Sequence, residues 1–255
     1  MGADVVKTVF MVLTLLCTVA PVIQAEEVFL DEQFTALERW EPFYFPKIEN
    51  HSSYSAITLD GLTCLSVTSS NSASAILFKE LFNVYSFPNI AWRWKVSNVF
   101  QKGDSSRKDG DDYPVRLYVM FEYDPERASF GKKLKYEIAN LFYGKYPPHS
   151  SLNYIWANKK QSAPFIPNPY SSLAMMIPVD SGQEQVGVWV EHRADIVRDY
   201  RAAFGEDPPS IASIAVMGDA DNTGESAQAY IDYIRIYKEQ EKESQLDIDG
   251  KQKKI

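Results

Sequence analysis

A nine-residue run with strict alternation limits the fold more than any other feature of the chain. In residues 115–123, apolar side chains recur at every second position, namely Val115, Leu117, Val119 and Phe121. The intervening positions are Arg116, Tyr118, Met120 and Glu122. Because successive strand side chains point to opposite faces, the pattern predicts a half-buried β-strand with Val115, Leu117, Val119 and Phe121 in the core.

The same two-residue period returns along most of the chain, with turn residues such as Asp60-Gly61 between the repeats. It predicts strands at 56–59, 62–68, 75–78, 89–96, 152–157, 172–179, 185–191, 211–217 and 228–237. Helical spacing appears at 129–143 and again after Asp195, a capping residue, up to Gly205. Many short strands without βαβ alternation predict a mainly β fold, an antiparallel, jelly-roll-like β-sandwich with one or two short inserted helices.

The two ends of the chain differ from the part between them. Lys7, an apolar run at 9–20 and Ala25 before Glu26 predict a signal peptide over 1–25. The run is short for a bilayer span, so we expect no stable membrane span after cleavage; an uncleaved N-terminal anchor is the alternative. Residues 239–255 are charged and aperiodic, which predicts a disordered tail. A single β-sandwich domain over 26–238 remains, in a periplasmic or secreted protein.

The net charge and the cysteine content limit the class of binding partner and the cellular compartment. The net charge of −8 argues against a nucleic-acid partner. After signal cleavage Cys64 is the one cysteine left, so no intrachain disulfide forms. A large exported domain without disulfides fits the bacterial periplasm. The alternating sequence around Cys64 predicts a buried thiol that acts as a small apolar side chain.

Three segments carry a resemblance to a known family. They are Asp-Asp-Tyr-Pro-Val-Arg-Leu-Tyr-Val at 111–119, Leu-Asn-Tyr-Ile-Trp-Ala at 152–157, and the stretch 199–225 that ends in Asp-Ala-Asp-Asn-Thr-Gly-Glu. Together they resemble a bacterial secreted family known as domain of unknown function 3047, over roughly residues 27–238. The resemblance implies a signal-bearing, single-domain protein and no established activity. More loosely, residues 230–237 are similar to the last strand of concanavalin-like glucanases and carbohydrate-binding modules, which supports the fold class.

Outward positions on the predicted strands have the chemistry of a sugar-binding surface. Six of them form the candidate ligand-binding set: Arg116, Tyr118, Trp156, Trp189, Glu191 and Arg193. Aromatic planes stack on sugar rings, while charged groups bind hydroxyls. The alternative is a second core beneath the helix at 129–143 or the Pro-rich loop, with Arg116 paired to Glu122 or Glu191.

The acidic loop 219–225 completes the candidate set with Asp219, Asp221, Asn222 and Glu225, at the rim of a groove. Asp219, Asp221 and the carbonyl of Thr223 also form a candidate Ca²⁺ site, since this ion prefers oxygen ligands. An EF-hand is excluded because its twelfth position, counted from Asp219, is Tyr230. The alternative is a turn in which Asp and Asn side chains bond their own backbone.

Three functions are consistent with these residues, and binding of a carbohydrate or similar small polar ligand without catalysis is favoured. The second is a glycoside hydrolase or lyase that uses Glu122, Glu191 or Asp219; Glu122 and Glu191 can form its carboxyl pair if their strands are neighbours. The Glu-x-Asp-x-x-Glu motif of concanavalin-like glucanases is absent from the sequence. The third is a structural or partner-binding envelope protein whose aromatic residues all lie in the core.

Overall fold

Two packed β-sheets make up most of the computed structural model, which describes residues 26–123 and 149–239. The predicted signal peptide, the predicted helix at 129–143 and residues 240–255 of the predicted tail lie outside the described residues. Within the described part, no helix is long and apolar enough to cross a membrane.

The first sheet has six strands. They are β1 (Glu26–Glu32), β3 (Ser53–Leu59), β4 (Leu62–Ser70), β7 (Asn89–Val96), β12 (Val190–Asp195) and β14 (Ser226–Glu239). Their order is β12-β7-β14-β4-β3, and β1 also pairs with β14. β14, the closing strand, therefore lies at the centre of this sheet.

The second sheet has eight strands. They are β2 (Trp40–Phe43), β5 (Ala73–Phe78), β6 (Phe82–Asn83), β8 (Arg116–Phe121), β9 (Ser150–Ala157), β10 (Ile166–Asn168), β11 (Ser171–Ser181) and β13 (Ile211–Asp219). Their order is β10-β11-β9-β8-β13-β5-β2, with β6 on β13. Among the described strands, β9 and β11 form the one parallel pair. The prediction of a mainly β, jelly-roll-like sandwich is confirmed, with a mixed second sheet.

The core lies between the two sheets and is rich in aromatic rings. Leu117, Val119 and Phe121 of β8, and Val115 just before it, are fully buried there, as their alternation predicts. Trp92 of β7 packs against Tyr154 of β9 with ring centroids 4.9 Å apart, and Trp94 packs against Trp156 at 6.3 Å. Such rings contribute large buried areas, so this contact binds the two sheets together.

Local signals place the turns and the helix. Asp60 and Gly61 have φ of 54° and 79°, the left-handed pair that a two-residue type I′ hairpin requires between β3 and β4. A helix, α1 (Ile196–Phe204), begins where the Asp195 carboxylate accepts from the Arg198 amide at 2.9 Å and ends at left-handed Gly205. A 3₁₀ turn occupies Lys108–Gly110. The predicted turn, cap and helix end are all confirmed.

The predicted strand at 185–191 is wrong in its extent. Gly187 has a φ of 82°, which places a turn there, and the strand begins only at Val190. Val188, which the alternation places in the core, is 54% exposed. Cys64 is free and buried, as predicted.

Candidate functional site

In the structure, the candidate ligand-binding residues that the sequence predicts on one outer sheet face lie in different places. Trp156 is fully buried in the core, and its Nε1 donates to the Gly182 carbonyl at 3.1 Å. Arg116 and Tyr118 lie on β8 of the eight-stranded sheet, whereas Glu191 lies on β12 of the six-stranded sheet. The single shared face is therefore a wrong prediction, because β8 and β12 are not neighbours.

The outer side of the eight-stranded sheet is filled beside the acidic loop. Met217 of β13 is buried in a cluster with Ala73 and Ala75, against which Phe45 and Tyr118 pack. Tyr118 thus belongs to a second apolar cluster, as the alternative interpretation expects, and is not part of an open groove.

Arg116 is buried and its charge is neutralised within the protein. Its Nε donates to Asp219 Oδ1 at 3.0 Å, its Nη2 donates to Asp219 Oδ2, and the Asp111 carbonyl accepts at 2.5 Å. Burial lowers the pKa of Arg116, but the carboxylates of Asp219 and Asp111 outweigh it and hold that pKa well above its usual value. The partner of Arg116 is Asp219, so the predicted pairing with Glu122 or Glu191 is wrong.

The acidic loop is held by hydrogen bonds from the loop that precedes β8. Asp112 accepts from the Asn222 side chain at 2.9 Å and from the Thr223 amide at 2.6 Å. Glu225 accepts from the backbone amides of residues 101 and 102 at 3.0 and 2.8 Å. Asn222 and Glu225 therefore fasten two loops together.

The candidate metal site differs from its prediction in two ways. The carboxylate of Asp112 joins it, and the carbonyl of Thr223 already accepts a hydrogen bond. Oxygens of Asp112, Asp219 and Asp221 lie within 4.8 Å of one another, and Asp112 was missed from the sequence. The Thr223 carbonyl accepts from the Lys102 ammonium at 3.1 Å, so a cation there would displace that group. The metal site stays a prediction; if it is right, Ca²⁺ raises the melting temperature relative to EDTA, and an unchanged melting temperature contradicts it.

A cleft opens on the outer side of the six-stranded sheet. Ala91 of β7 lies directly between Arg193 of β12 and Arg235 of β14 in the strand register. A methyl group between two long side chains leaves a depression of about 230 Å³. Its lining residues are Glu26, Asp31, Gln33, Ala91, Arg193, Tyr233, Arg235 and Tyr237.

The cleft combines charged and phenolic groups. Arg235 Nη1 lies 2.7 Å from Glu26 Oε2, while Arg235 Nε is buried and has no acceptor among the described residues. Burial and the Glu191 carboxylate raise the pKa of Tyr233 to about 12. Burial also raises the pKa of Tyr237. The phenols stay protonated near neutral pH, and the Tyr233 hydroxyl donates to the Glu191 carboxylate.

A second cavity, of about 520 Å³, lies at the β3–β4 end of the same sheet. It is lined entirely by polar residues: Glu49, Asn50, His51, Ser53, Thr68, Ser70, Asn71 and Ser72. Tyr44 stacks on His51 with ring centroids 4.1 Å apart. No Phe, Tyr or Trp is among these lining residues, so the cavity offers hydrogen bonds but no ring on which a sugar could stack.

Comparison with known families gives one decisive match. The model of a family described as "Protein of unknown function (DUF3047)" matches residues 38–235. The chain belongs to the DUF3047 family. No curated protein matches the sequence.

Three solved structures show distant similarity to the DUF3047 chain. The family 11 carbohydrate-binding module of cellulosomal cellulase Lic26A-Cel5E from Clostridium thermocellum is 8% identical with a TM-score of 0.41, over 84% of this chain and 94% of that one. The family GH12 endoglucanase 3 of Trichoderma harzianum is 8% identical, with a TM-score of 0.39 and coverage of 87% and 100%. The winged bean acidic lectin, complexed with methyl-α-D-galactose, is 10% identical, with a TM-score of 0.36 and coverage of 79% and 99%. At these values no site residue is transferred from them.

The cleft of this DUF3047 protein was only partly predicted. Arg193 belongs to the candidate set and lines the cleft, with Glu191 beside it on the same strand. Tyr233, Arg235 and Tyr237 were missed, although they alternate with Ile234 and Ile236 in the sequence. That alternation marks three polar or aromatic residues on the exposed side of a strand whose other side is core.

Proposed function

We propose that this DUF3047 protein binds a carbohydrate, without turnover, in the cleft above Ala91. The observation that supports the proposal is the cross-strand set Arg193–Ala91–Arg235, with Tyr233 and Tyr237 alongside. A sugar ring offers an apolar face for an aromatic ring and hydroxyls for charged groups. The cleft offers aromatic rings and charged groups, and the charged groups include both arginines and carboxylates.

The unpaired donor of Arg235 supports the presence of a ligand. A buried donor without an acceptor costs roughly 1–3 kcal/mol. Arg235 Nε is such a donor in the described part of the chain, and Arg235 also lines the cleft. This nitrogen is shielded from solvent, so a ligand hydroxyl can accept from it only if the Arg235 side chain turns toward the cleft, and that contact would remove the cost.

The size of the cleft favours a small ligand. Pockets for drug-sized molecules occupy about 300–1,000 Å³. The cleft, at about 230 Å³, is smaller than that range. One sugar ring is an occupant of the right scale.

The positions of the carboxylates support binding without turnover. Glu122 follows β8 and Glu191 lies on β12, in different sheets of the sandwich. Packed sheets are about 10 Å apart, which exceeds the separation that a glycosidase pair uses. Glu26, at the cleft, is paired with Arg235 at 2.7 Å. We place this binding in the periplasm or outside the cell, which N-terminal sequencing of the exported protein checks.

The test is a glycan array probed with the full chain and with two cleft variants. We expect the wild type to bind, and Tyr233→Ala and Arg235→Ala to weaken that binding at least about tenfold. Each variant removes a group that lines the cleft, and thermal unfolding verifies that it remains folded.

Tyr44→Ala is the matched control, because Tyr44 is an exposed tyrosine (52%) beside the polar cavity. We expect it to bind like the wild type. Binding that is lost in Tyr44→Ala but retained in Tyr233→Ala would contradict the cleft as the site. No binding to any glycan would overturn the proposed function.

A further inference from the structure

A second aromatic group lies on the same outer face as the cleft. It consists of Trp189, Tyr230 and Lys95, and we call it the Trp189 platform. Lys95 alternates with core residues on β7, just as Ala91 does, so both face outward. Tyr230 is the register partner of Lys95 on β14. The face that holds the cleft thus continues to this platform.

Its own contacts hold the Trp189 platform in place. The Lys95 ammonium lies 5.1 Å from the Trp189 ring centroid and 5.5 Å from that of Tyr230. The two rings are 6.4 Å apart, and Asp60 anchors Lys95 at 2.9 Å. A surface that is already ordered loses little conformational entropy when a ligand binds.

The cleft and the platform are too far apart for one small molecule. Ala91 and Lys95 are four residues apart on one strand, which corresponds to about 13 Å. Charged groups lie between them: Arg93 with its partner Asp232 at 2.6 Å, and the partly exposed Glu191 beside Arg93 in the register. Trp189 and Tyr233 are half-buried, whereas Tyr230 (9% exposed) and Tyr237 (3%) are buried beside them, so one partly exposed ring stands at each end of the face and charged groups lie in the middle.

We infer that the ligand is a linear oligosaccharide that lies along β7, with one unit in the cleft and a later unit on the Trp189 platform. This inference rests on the proposed function. A single ring fills the cleft and cannot reach Trp189, whereas a chain places rings at both aromatic sites and hydroxyls over Arg93 and Glu191. Chain length is therefore the property that this face recognises.

The test uses four oligosaccharide ladders of one to six units, from β-glucan, xylan, mannan and chitin, titrated against the full chain. We expect affinity for at least one ladder to rise at least about tenfold from the shortest to the longest member, about 1.4 kcal/mol. Trp189→Ala removes this gain and leaves affinity for the shortest bound member unchanged. Trp189→Phe retains part of the gain, because a stacking ring remains.

Val188→Ala is the matched control, since Val188 is exposed next to Trp189 in sequence. We expect it to keep the full length dependence. If the ladder members bind through Tyr233 with equal affinity at every length, the inference is overturned and the proposed function stands. If no ladder member and no array glycan binds, the proposed function itself fails. The wild-type length dependence decides the question even if Trp189→Ala does not fold.

Discussion

The Arg116→Ala substitution is expected to lower the free energy of unfolding by about 3–5 kcal/mol, because it leaves a buried carboxylate without its counter-charge. Asp219 is 2% exposed and accepts two of its hydrogen bonds from Arg116. After the substitution, the remaining donor in the described structure is the Tyr113 amide at 3.1 Å. Denaturant-induced unfolding of both proteins measures the difference.

The matched control is Arg39→Ala, which breaks an ion pair of similar chemistry at the surface. Arg39 lies 2.8 Å from Glu80, and both side chains are about half exposed. Exposed pairs of this kind contribute about 0–1 kcal/mol. Equal losses in Arg116→Ala and Arg39→Ala would contradict the role assigned to the buried pair. Replacing both Arg116 and Asp219 by apolar residues should restore part of the stability, since Asp111, whose Oδ2 lies 3.5 Å from Arg116 Nη1 in the wild type, is then the one carboxylate of this cluster that loses its counter-charge.

The deficit of Arg116→Ala should also depend on pH. Burial raises the pKa of Asp219 to about 7 in the wild type, while the Arg116 guanidinium pulls it down. Without the guanidinium, the pKa of the folded variant is higher still. A folded-state pKa above the unfolded value gives stability that is present at low pH and lost as pH rises through the folded pKa. The deficit is therefore smaller at about pH 5 than at about pH 8, and an equal deficit at both would contradict this account.

Strands and turns were predictable from the sequence because their causes are local. The alternation of residues 115–123 follows from the strand period, and the turn at Asp60-Gly61 follows from the left-handed conformation that it needs. Trp156 was misassigned for an equally local reason. Every residue of β9 is buried, on both of its faces, so its sequence has no alternation that would tell an inward side chain from an outward one.

Sheet membership was not predictable, and the candidate face depended on it. Arg116 meets Asp219 across 103 residues of sequence, and β8 and β12 belong to different sheets. Neither fact can be deduced from the local alternation of apolar and polar residues. A further irregularity, a β-bulge between Ile231 and Tyr233 on β14, made it impossible to predict that Tyr230 lies on the same face as the cleft. The bulge shifts the outward positions by one residue, so Tyr230 and Tyr233 share a face although strict alternation separates them.

Filling the cleft should abolish binding with little effect on the fold, and Ala91→Leu makes this change. The new side chain adds three carbons to the floor of a cleft of about 230 Å³, and because Ala91 is 4% exposed the flanking arginine side chains must shift to admit them. We therefore expect the free energy of unfolding to fall by about 1–3 kcal/mol, which leaves the protein folded. The same carbons occupy the space that a sugar ring needs, so glycan affinity should fall by about a hundredfold or more.

Ala91→Ser is the control for this last change, because it alters the chemistry of the floor and keeps its volume nearly constant. It should bind within about threefold of the wild type, whereas Ala91→Leu should not bind measurably on the same array. Both variants keep Arg193, Arg235 and the tyrosines, so a difference between them isolates the open space above residue 91. If Ala91→Leu folds and binds normally, then the space between the two arginines is not where the ligand lies, and the cleft is excluded as the binding site.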